Sequence, residues 1–285
     1  MEARRKFALS LPSTVWVLGE RTLVMGVLNV TPDSFSDGGR FLDPDKAVAH
    51  ALAMEQAGAD IIDVGGESAR PGASRISAEE ELKRILPVLQ RLKRRLGIPF
   101  SVDTTKAEVA EAAGKAGAQM INDTSGLRAD PALATVAKRH ELPLVLMHIR
   151  GIPQTMQQLP PAKNILREVA RGLRWSVARA LNAGLRRTQL VIDPGIGFGK
   201  TAMQNYEILC HLRRLEKFKL PILVGASRKS FIAKVLDNAP PESRLWGTAA
   251  TVAASILGGA HIVRVHDVPE MLPVVRVTDA ILRSA

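Results

Sequence analysis

The sequence predicts an α/β fold, a (β/α)8 TIM barrel with a short N-terminal strand pair. Eight short apolar runs recur along the 285 residues, helical patterns separate them, and each run enters a polar cluster. Short runs that are apolar on both faces are typical of parallel strands buried beneath helices. Eight such strand–helix units in succession indicate a closed barrel. An open doubly wound sheet is the alternative.

The elements follow in chain order. Residues 1–21 are expected to form a small strand pair. The barrel strands are predicted at 22–29, 60–68, 98–104, 118–126, 142–148, 189–200, 221–229 and 260–267. The helices are predicted at 45–59, 77–97, 106–116, 130–139, 162–183, 203–215, 242–258 and 269–283. The second helix has clear boundaries because Ser77 and Glu80 have capping-box spacing and Gly97 ends the pattern.

Composition favours one domain over residues 1–285, since no low-complexity linker interrupts the repeats and barrels of this length form single domains. No run reaches the roughly 18 apolar residues of a membrane span. The segment MEARRKF is too short and too weakly apolar for a signal peptide. Cys210 is the single cysteine, which excludes an internal disulfide. We therefore expect a cytoplasmic protein with no membrane partner.

The net charge of +11 has three interpretations. It could describe a solvated basic surface, a nucleic-acid binder or a protein that attracts a small anionic substrate. The charge is spread along the chain, and aromatic residues make up only 4%, too few for a platform on which bases stack. No nucleic-acid partner is expected.

Polar residues end every predicted strand, and the carboxyl ends of barrel strands are where active sites lie. In strand order the set is Asn29; Glu67, Ser68 and Arg70; Asp103; Asn122 and Asp123; His148; Asp193; Ser227, Arg228 and Lys229; Arg264, His266 and Asp267. Each has a structural interpretation: Asp123 could cap the next turn, and His148 could be a hydrogen-bonded wall residue. Their coincidence at one rim favours a shared site.

The rim divides into two chemical halves. Asp103, Asn122 and Asp193 offer carboxylates and an amide that suit a flat heterocycle with an amino-oxo pyrimidine edge, and Lys229 adds a donor.

The second half is cationic and contains Arg70, Arg264 and His266. Guanidinium groups suit phosphate, and barrels often bind phosphate after the last strands. Asn29 could supply an oxygen ligand to a metal ion. The sequence shows no set of residues that would coordinate a metal ion without other ligands, and Mg2+ is usually bound by few protein ligands.

The segment GIGFGK at 195–200 is similar to a nucleotide-binding loop, but its glycine spacing is wrong and it follows the sixth barrel strand. We expect a tight turn in which backbone segments approach closely.

The chain resembles dihydropteroate synthases of folate biosynthesis from residue 22 to about 280. The resemblance rests on eight motifs in order: GVLNVTPDSFSDGG, DVGGESARPGA, SVDTTK, INDTSG, MHIRGIPQTMQ, DPGIGFGK, VGASRKSFI and RVHDV. It implies a transferase that joins 4-aminobenzoate to 6-hydroxymethyl-7,8-dihydropterin diphosphate, giving 7,8-dihydropteroate and diphosphate. It also implies a homodimer, Mg2+ as cofactor and competition by sulfonamides.

The resemblance also implies residue roles. Asp103, Asn122, Asp193 and Lys229 correspond to pterin contacts; Arg70, Arg264 and His266 to diphosphate contacts; Asn29 to a Mg2+ ligand; and Phe35, Pro71, Phe198, Lys229 and Ser230 to the aminobenzoate pocket. Asp103, Asp193 and Lys229 are the expected catalytic residues. The loops 30–39 and 69–75 would close over the site.

One position departs from the family pattern. Ala69 replaces the Thr that family members usually carry before Arg70. A charge-assisted hydrogen bond worth roughly 1.5–3 kcal/mol would be missing, so diphosphate should bind more weakly. Two other interpretations are a pterin-binding methyltransferase module that serves a corrinoid protein and a non-catalytic relative. The cationic residues and the loop SFSDGG argue against both.

Overall fold

The computed structural model describes residues 4–31, 43–68, 70 and 72–284. Its strands are β1 (Phe7–Ser10), β2 (Val15–Leu18), β3 (Leu23–Asn29), β4 (Ile61–Gly65), β5 (Phe100–Asp103), β6 (Met120–Asp123), β7 (Leu144–Met147), β8 (Leu190–Asp193), β9 (Leu223–Val224) and β10 (Ile262–Val265). Each predicted barrel strand contains one of β3 to β10.

The helices are α1 (Pro44–Gln56), α2 (Ala78–Arg95), α3 (Ala107–Lys115), α4 (Leu133–Arg139), α5 (Ile165–Asn182), α6 (Ala202–Cys210), α7 (Ser230–Ala233), α8 (Leu245–Leu257) and α9 (Val268–Arg283). Short 3-10 turns lie at Met156–Gln158, Arg187–Gln189, Leu212–Phe218 and Pro241–Arg244. The predicted helix 203–215 is α6 followed by a 3-10 turn, and α7 was not predicted.

The eight strands β3 to β10 are parallel, and their order is β8-β7-β6-β5-β4-β3-β10-β9. The two ends meet where Ile192 bridges Ile222 in parallel and the Ile192 amide donates to the Pro221 carbonyl at 3.0 Å. These contacts close the sheet into a barrel. The predicted (β/α)8 fold is confirmed, and the doubly wound alternative is wrong.

The predicted strand pair before the barrel is also confirmed. β1 and β2 are antiparallel, with Leu9 opposite Trp16. Leu9, Leu11 and Leu18 are buried in the same apolar cluster as Met25 and other residues from the amino-terminal halves of the barrel strands. The pair therefore closes the barrel at the end opposite the polar rim.

The alternation of side chains along a strand explains how the rim is built. Apolar residues Met25, Ile61, Met120, Val191 and Ile262 form the inner cluster at the bottom of the barrel. On β4, β6, β8 and β10, the residue two positions further along lies on the same face and is polar. These residues are Asp63, Asn122, Asp193 and Arg264. The other face of each strand packs beneath the helices in a second, larger apolar core.

Side-chain caps place the helices that follow the rim. Ser77 Oγ accepts the Glu80 amide at 3.1 Å and begins α2, as the sequence predicts. Asn164 and Thr201 cap α5 and α6 in the same way. Within the described ranges, no helix combines the length and hydrophobicity that a membrane span requires.

A buried ion pair joins the chain termini beneath the barrel. Arg4 donates to Asp279 Oδ1, to Thr22 Oγ1 and to the Ala260 carbonyl, each at 2.6 Å. The second oxygen of Asp279 accepts the Thr22 amide at 2.6 Å. Because both charges are buried and share several hydrogen bonds, this cluster fixes α9 against the start of β3.

His261 is a second buried polar group at this end. Its Nδ1 accepts the Ile222 amide at 3.1 Å, and its Nε2 lies 2.9 Å from the Arg5 carbonyl. One nitrogen must accept and the other donate, which describes the neutral ring. Burial lowers the pKa of His261 to about 4.

We predict that stability falls as the pH drops from about 6.5 to about 4, because the unfolded chain takes up a proton at His261 that the folded chain does not. The contribution should be about 1–3 kcal/mol. Urea unfolding at several pH values checks it, with His261→Gln as the comparison. The variant should lose part of this pH dependence; identical slopes would contradict the assignment.

Candidate functional site

Five side chains from four strands form a hydrogen-bonded group at the centre of the rim. We call Asp63, Ser101, Asp103, Asn122 and Arg264 the central cluster. Asp63 is fully buried and accepts Arg264 Nε at 2.6 Å, Asn122 Nδ2 at 2.9 Å and Ser101 Oγ at 2.5 Å. Arg264 Nη2 reaches Asp103 Oδ2 at 2.9 Å. One guanidinium thus joins two carboxylates across the barrel.

Asp63 is the residue that the sequence analysis missed. It lies inside the strand run DIIDVGG and not at its end, so the rule of strand ends did not select it. The signal was present nonetheless, because an ionisable group in an apolar strand is costly unless a partner pairs with it. That cost predicts a cationic partner facing the same interior.

Asp103 and Asp193 lie at the ends of β5 and β8, facing the interior. Burial raises the pKa of Asp103 to about 8, although Arg264 opposes the shift. Burial also raises the pKa of Asp193, while Lys229 and the Gly195 amide, which donates to Asp193 Oδ1 at 2.6 Å, oppose the shift. Burial thus favours the protonated form of both carboxyl groups, and a ligand that donates hydrogen bonds to them would favour the charged form.

Lys229 approaches this group from the loop after β9. Its ammonium donates to the Ile196 carbonyl and lies 4.3 Å from the centre of the Phe198 ring. Burial lowers the pKa of Lys229 to about 8, with Asp193 and Asp103 opposing the shift. The predicted residues Phe198 and Lys229 are thus in direct contact and form one wall.

His266 follows β10 and faces the loop after β9. Ser227 Oγ accepts the His266 amide at 3.2 Å and lies 3.0 Å from ring Nδ1. The hydroxyl can also donate its own hydrogen to Nδ1, and in that arrangement the ring proton is on Nε2. Burial, with help from the charges of Arg264 and Arg228, lowers the pKa of His266 to about 3.

The remaining predicted residues lie at the edge of the site. Asn29 is half-buried at the end of β3. Arg70 is exposed, and its amide lies 3.4 Å from Ser68 Oγ. Ser230 is exposed and begins α7.

The structure does not test every predicted residue. Phe35, Pro71 and Ala69 lie outside the described residues. The assigned roles of the other residues stay predictions, and Arg264, which we assigned to diphosphate, contacts carboxylates in the ligand-free structure.

A cavity of about 260 Å³ adjoins Asp103. The loops after β4, β5, β6 and β7 line it, and Thr104, Thr105 and Thr124 supply hydroxyl groups. Its position beside the central cluster leaves room for a small polar ligand to enter.

The loop after β4 is held from below by an ion network. Lys106 Nζ donates to Glu67 Oε2 at 2.8 Å and to Glu81 Oε2 at 2.5 Å. Glu67 Oε1 also accepts the Ile76 amide at 2.9 Å. Glu67 is therefore a support for the loop that carries Arg70.

Asp123 and His148 are the rim residues for which we considered structural roles. Asp123 is buried and accepts the amides of Ser125 at 2.8 Å and Leu127 at 2.5 Å, so it caps the turn. His148 is a buried wall residue whose backbone amide donates to the Asp193 carbonyl at 2.9 Å, but among the described residues its ring Nδ1 has no hydrogen-bond partner, so the hydrogen-bonded role that we considered is not confirmed. Burial holds the pKa of this histidine well below its usual value.

The segment 195–200 is a tight turn, as predicted. Gly195 and Gly199 have φ values of +67° and +66°, and an added Cβ would lie 1.9 Å and 2.4 Å from neighbouring carbonyl oxygens. Lys200 is buried and donates to the carbonyls of His148, Gly195 and Phe198 at 2.7–3.1 Å. This lysine is committed to the turn and is not available to a phosphate.

Known proteins share the sequence pattern and the fold of this chain. The profile of the family described as "Pterin binding enzyme" matches residues 25–266. A dihydropteroate synthase from Synechocystis sp. is 50% identical over 275 residues, which covers 96% of this chain and 95% of the relative.

Three solved dihydropteroate synthases have the same fold. A Clostridium difficile structure with pteroic acid has a TM-score of 0.87 and 47% identity, covering 93% of this chain and 98% of that one. A Yersinia pestis structure with a sulfonamide drug has a TM-score of 0.91 and 43% identity, covering 98% of this chain and 100% of that one. A Xanthomonas albilineans structure with 4-aminobenzoic acid has a TM-score of 0.90 and 41% identity, covering 97% of this chain and 98% of that one.

We predict that Asp63→Asn lowers the free energy of unfolding by roughly 2–3 kcal/mol, because Arg264 loses the fully buried carboxylate that its Nε contacts. Chemical denaturation measures it. Glu79→Gln is the control, since that residue pairs with Lys83 on the exposed face of α2 and should be neutral. Equal effects of the two substitutions would show that the buried charge does not hold the cluster together.

Proposed function

We propose that this chain, which belongs to the dihydropteroate synthase family, catalyses the condensation of 4-aminobenzoate with 6-hydroxymethyl-7,8-dihydropterin diphosphate. The products are 7,8-dihydropteroate and diphosphate. The observation that supports it most directly is the central cluster, in which two carboxyl groups and an amide face the barrel interior beside a cationic rim.

The pterin is proposed to bind over the central cluster. The carboxyl groups of Asp103 and Asp193 can accept N–H groups from the amino-oxo pyrimidine edge, and Asn122 can both donate and accept. Asp63 holds Asn122 through its amide nitrogen, which directs the Asn122 carbonyl oxygen away from Asp63. The heterocycle thus meets partners whose orientation is already set before it binds.

The reaction begins with departure of diphosphate from the methylene carbon. Arg70 would neutralise charge that develops on the leaving oxygens, and the neutral ring of His266 would donate a hydrogen bond to them from Nε2. The carbocation left behind is delocalised into the pterin, and the anionic forms of Asp103 and Asp193 favour it electrostatically. The aromatic amine attacks as a neutral nucleophile, so it needs positioning and no strong base.

A magnesium ion fits this arrangement. Asn29 presents an oxygen donor at the rim, and no group of three or more His, Cys, Asp or Glu residues that could hold a metal occurs in the part of the chain that the structure describes. Diphosphate oxygens and water would complete the coordination, as is usual for Mg2+. When bound, the ion would supply positive charge to the leaving group.

The aminobenzoate is proposed to lie against Phe198 and Lys229, which are already in contact. The ammonium of Lys229 can attract its carboxylate, and the ring of Phe198 offers an apolar surface. Sulfonamides should compete for this position, since the Yersinia pestis relative was solved with one. Ser230, Phe35 and Pro71 remain proposed contacts.

The experiment that tests the function measures diphosphate release from the pterin diphosphate in Mg2+, with and without 4-aminobenzoate. We predict amine-dependent release by the wild type and a loss of at least about 100-fold in Asp103→Asn. Glu79→Gln serves as the folded control, because it lies on the exposed face of α2. Pterin binding without any turnover would instead indicate a methyltransferase module or an inactive relative.

We predict a bell-shaped pH profile for kcat/KM centred near pH 8. Asp103 must lose its proton to accept two N–H groups, so activity should rise as the pH approaches its pKa of about 8. Lys229 must keep its proton, so activity should fall above its own pKa of about 8. In Lys229→Arg the alkaline fall should disappear, because arginine stays charged. An unchanged alkaline limb would refute the role of Lys229.

A homodimer is the proposed assembly. Trp246 on α8 is 80% exposed and Met203 on α6 is 74% exposed, while Val277 and Ile281 are exposed on α9. Helix α8 packs against both α6 and α9, so these apolar side chains lie on adjacent helices. Exposed apolar patches of this kind mark interfaces.

We predict that the wild type has the mass of a dimer in light scattering and that Trp246→Glu shifts it towards the monomer. Val15→Glu is the control, because Val15 is exposed on β2, at the opposite end of the barrel from the rim. A monomeric wild type, or dissociation by both substitutions, would contradict this interface.

A further inference from the structure

Two consecutive residues of the loop after β9 are joined to two consecutive residues after β10. Ser227 Oγ accepts the amide of His266 and lies 3.0 Å from its ring Nδ1. Arg228 Nε donates to Asp267 Oδ2 at 2.9 Å, and its Nη2 donates to the other oxygen. The first residue of one segment thus contacts the first residue of the other, and the second contacts the second. These links hold the two segments side by side.

The Arg228–Asp267 pair is more than a loose surface contact. Both oxygens of Asp267 are used by one guanidinium, and its side chain is only 13% exposed. Bidentate pairs of this type fix orientation as well as distance. The pair therefore constrains the angle between the two loops.

The backbone of Arg228 is held on its other side. Its φ is +58°, a left-handed conformation that non-glycine residues adopt rarely. Its amide donates to Thr248 Oγ1 at 3.0 Å, and its carbonyl accepts Arg244 Nη1 at 2.7 Å. These contacts maintain a reversal of the chain immediately before Lys229. The position of the Lys229 backbone therefore depends on the conformation of Arg228.

We propose that the Arg228–Asp267 ion pair is a positioning element that holds Lys229 and His266 in a fixed relative geometry. Lys229 directly follows one partner, and His266 directly precedes the other. Neither Arg228 nor Asp267 needs to contact a substrate for this role.

The inference deepens the proposed function and rests on it. Lys229 is proposed to serve the pterin and aminobenzoate, and His266 to serve the diphosphate. An element that fixes both residues would align the attacking amine with the departing group. Loss of the pair should therefore reduce turnover more than it reduces the affinity for either substrate alone.

The chain contains a matched control at the other end of the barrel. Arg21 and Asp60 form a second bidentate pair, with N–O distances of 2.9 and 2.5 Å. Asp60 also accepts the Val24 amide at 2.8 Å, so this pair too joins segments near the ends of two strands. Its side-chain exposure, 57% for Arg21 and 15% for Asp60, is close to the 40% and 13% of the proposed pair.

The experiment compares Asp267→Asn, Arg228→Lys and the double variant with Asp60→Asn. Amine-dependent diphosphate release gives kcat and both KM values, and thermal unfolding confirms that each variant is folded. We expect kcat to fall about tenfold in Asp267→Asn, with smaller changes in KM. Arg228→Lys should fall less, because it keeps the charge but loses the fork. Asp60→Asn should lower stability and leave kcat within about twofold.

The double variant gives a second, independent criterion. If the pair acts as a unit, removing both partners should cost no more turnover than the worse single substitution. Additive losses would overturn the proposal, and so would a kcat in Asp267→Asn equal to that of Asp60→Asn. If Asp267→Asn does not fold, Arg228→Lys tests the proposal by the same criterion, a fall in kcat that is larger than the change in KM. A wild type without turnover would overturn both this proposal and the proposed function, whereas normal turnover in the variants would overturn this proposal alone.

Discussion

The contact between Asp63 and Arg264 is the interaction on which the rest of the site depends. Each side chain is a charge placed inside a barrel whose lower half is apolar, and neither could remain there alone. Their pairing allows a guanidinium to cross the barrel interior and to reach Asp103. It also gives Asn122 a fixed acceptor, so the orientation of the amide is settled before any ligand arrives.

The same pairing explains why the pKa of the Asp103 carboxyl group in the site stays raised. Arg264 supplies one positive charge to two nearby carboxylates, so it cannot fully compensate the burial of Asp103. Lys229 stands in the same relation to Asp193, with its own charge disfavoured by burial. The protonation of these buried groups is therefore sensitive to neighbouring hydrogen-bond donors, because a donor that contacts a carboxyl group stabilises its charged form.

Most of the barrel could be predicted from the sequence, because apolar runs, glycine-ended helices and capping residues such as Ser77 are local signals. The predicted rim residues Asp103, Asn122, Asp193 and Lys229 do lie together for the same reason: parallel strands bring their carboxyl ends to one place. Asp63 could not be found by that rule, since it lies within a strand, and its role depends on Arg264, which is 201 residues away. Helix α7 was missed because four residues are too short for a periodic signal.

The two ends of the barrel have different roles: the lower end contributes to stability, and the upper end carries the candidate site. At the lower end, Arg4, Asp279 and His261 are buried and form hydrogen bonds with other parts of the protein. At the upper end, ion pairs lie both on the strands, where Arg264 contacts Asp63 and Asp103, and in the loops, where Arg228 contacts Asp267. Because a strand inside a closed barrel cannot slide without moving its neighbours, a rigid lower end keeps the upper loops in register. The Arg228–Asp267 pair is the upper counterpart of Arg21–Asp60, and the larger effect on turnover that we expect from its loss follows from the residues beside it, Lys229 and His266.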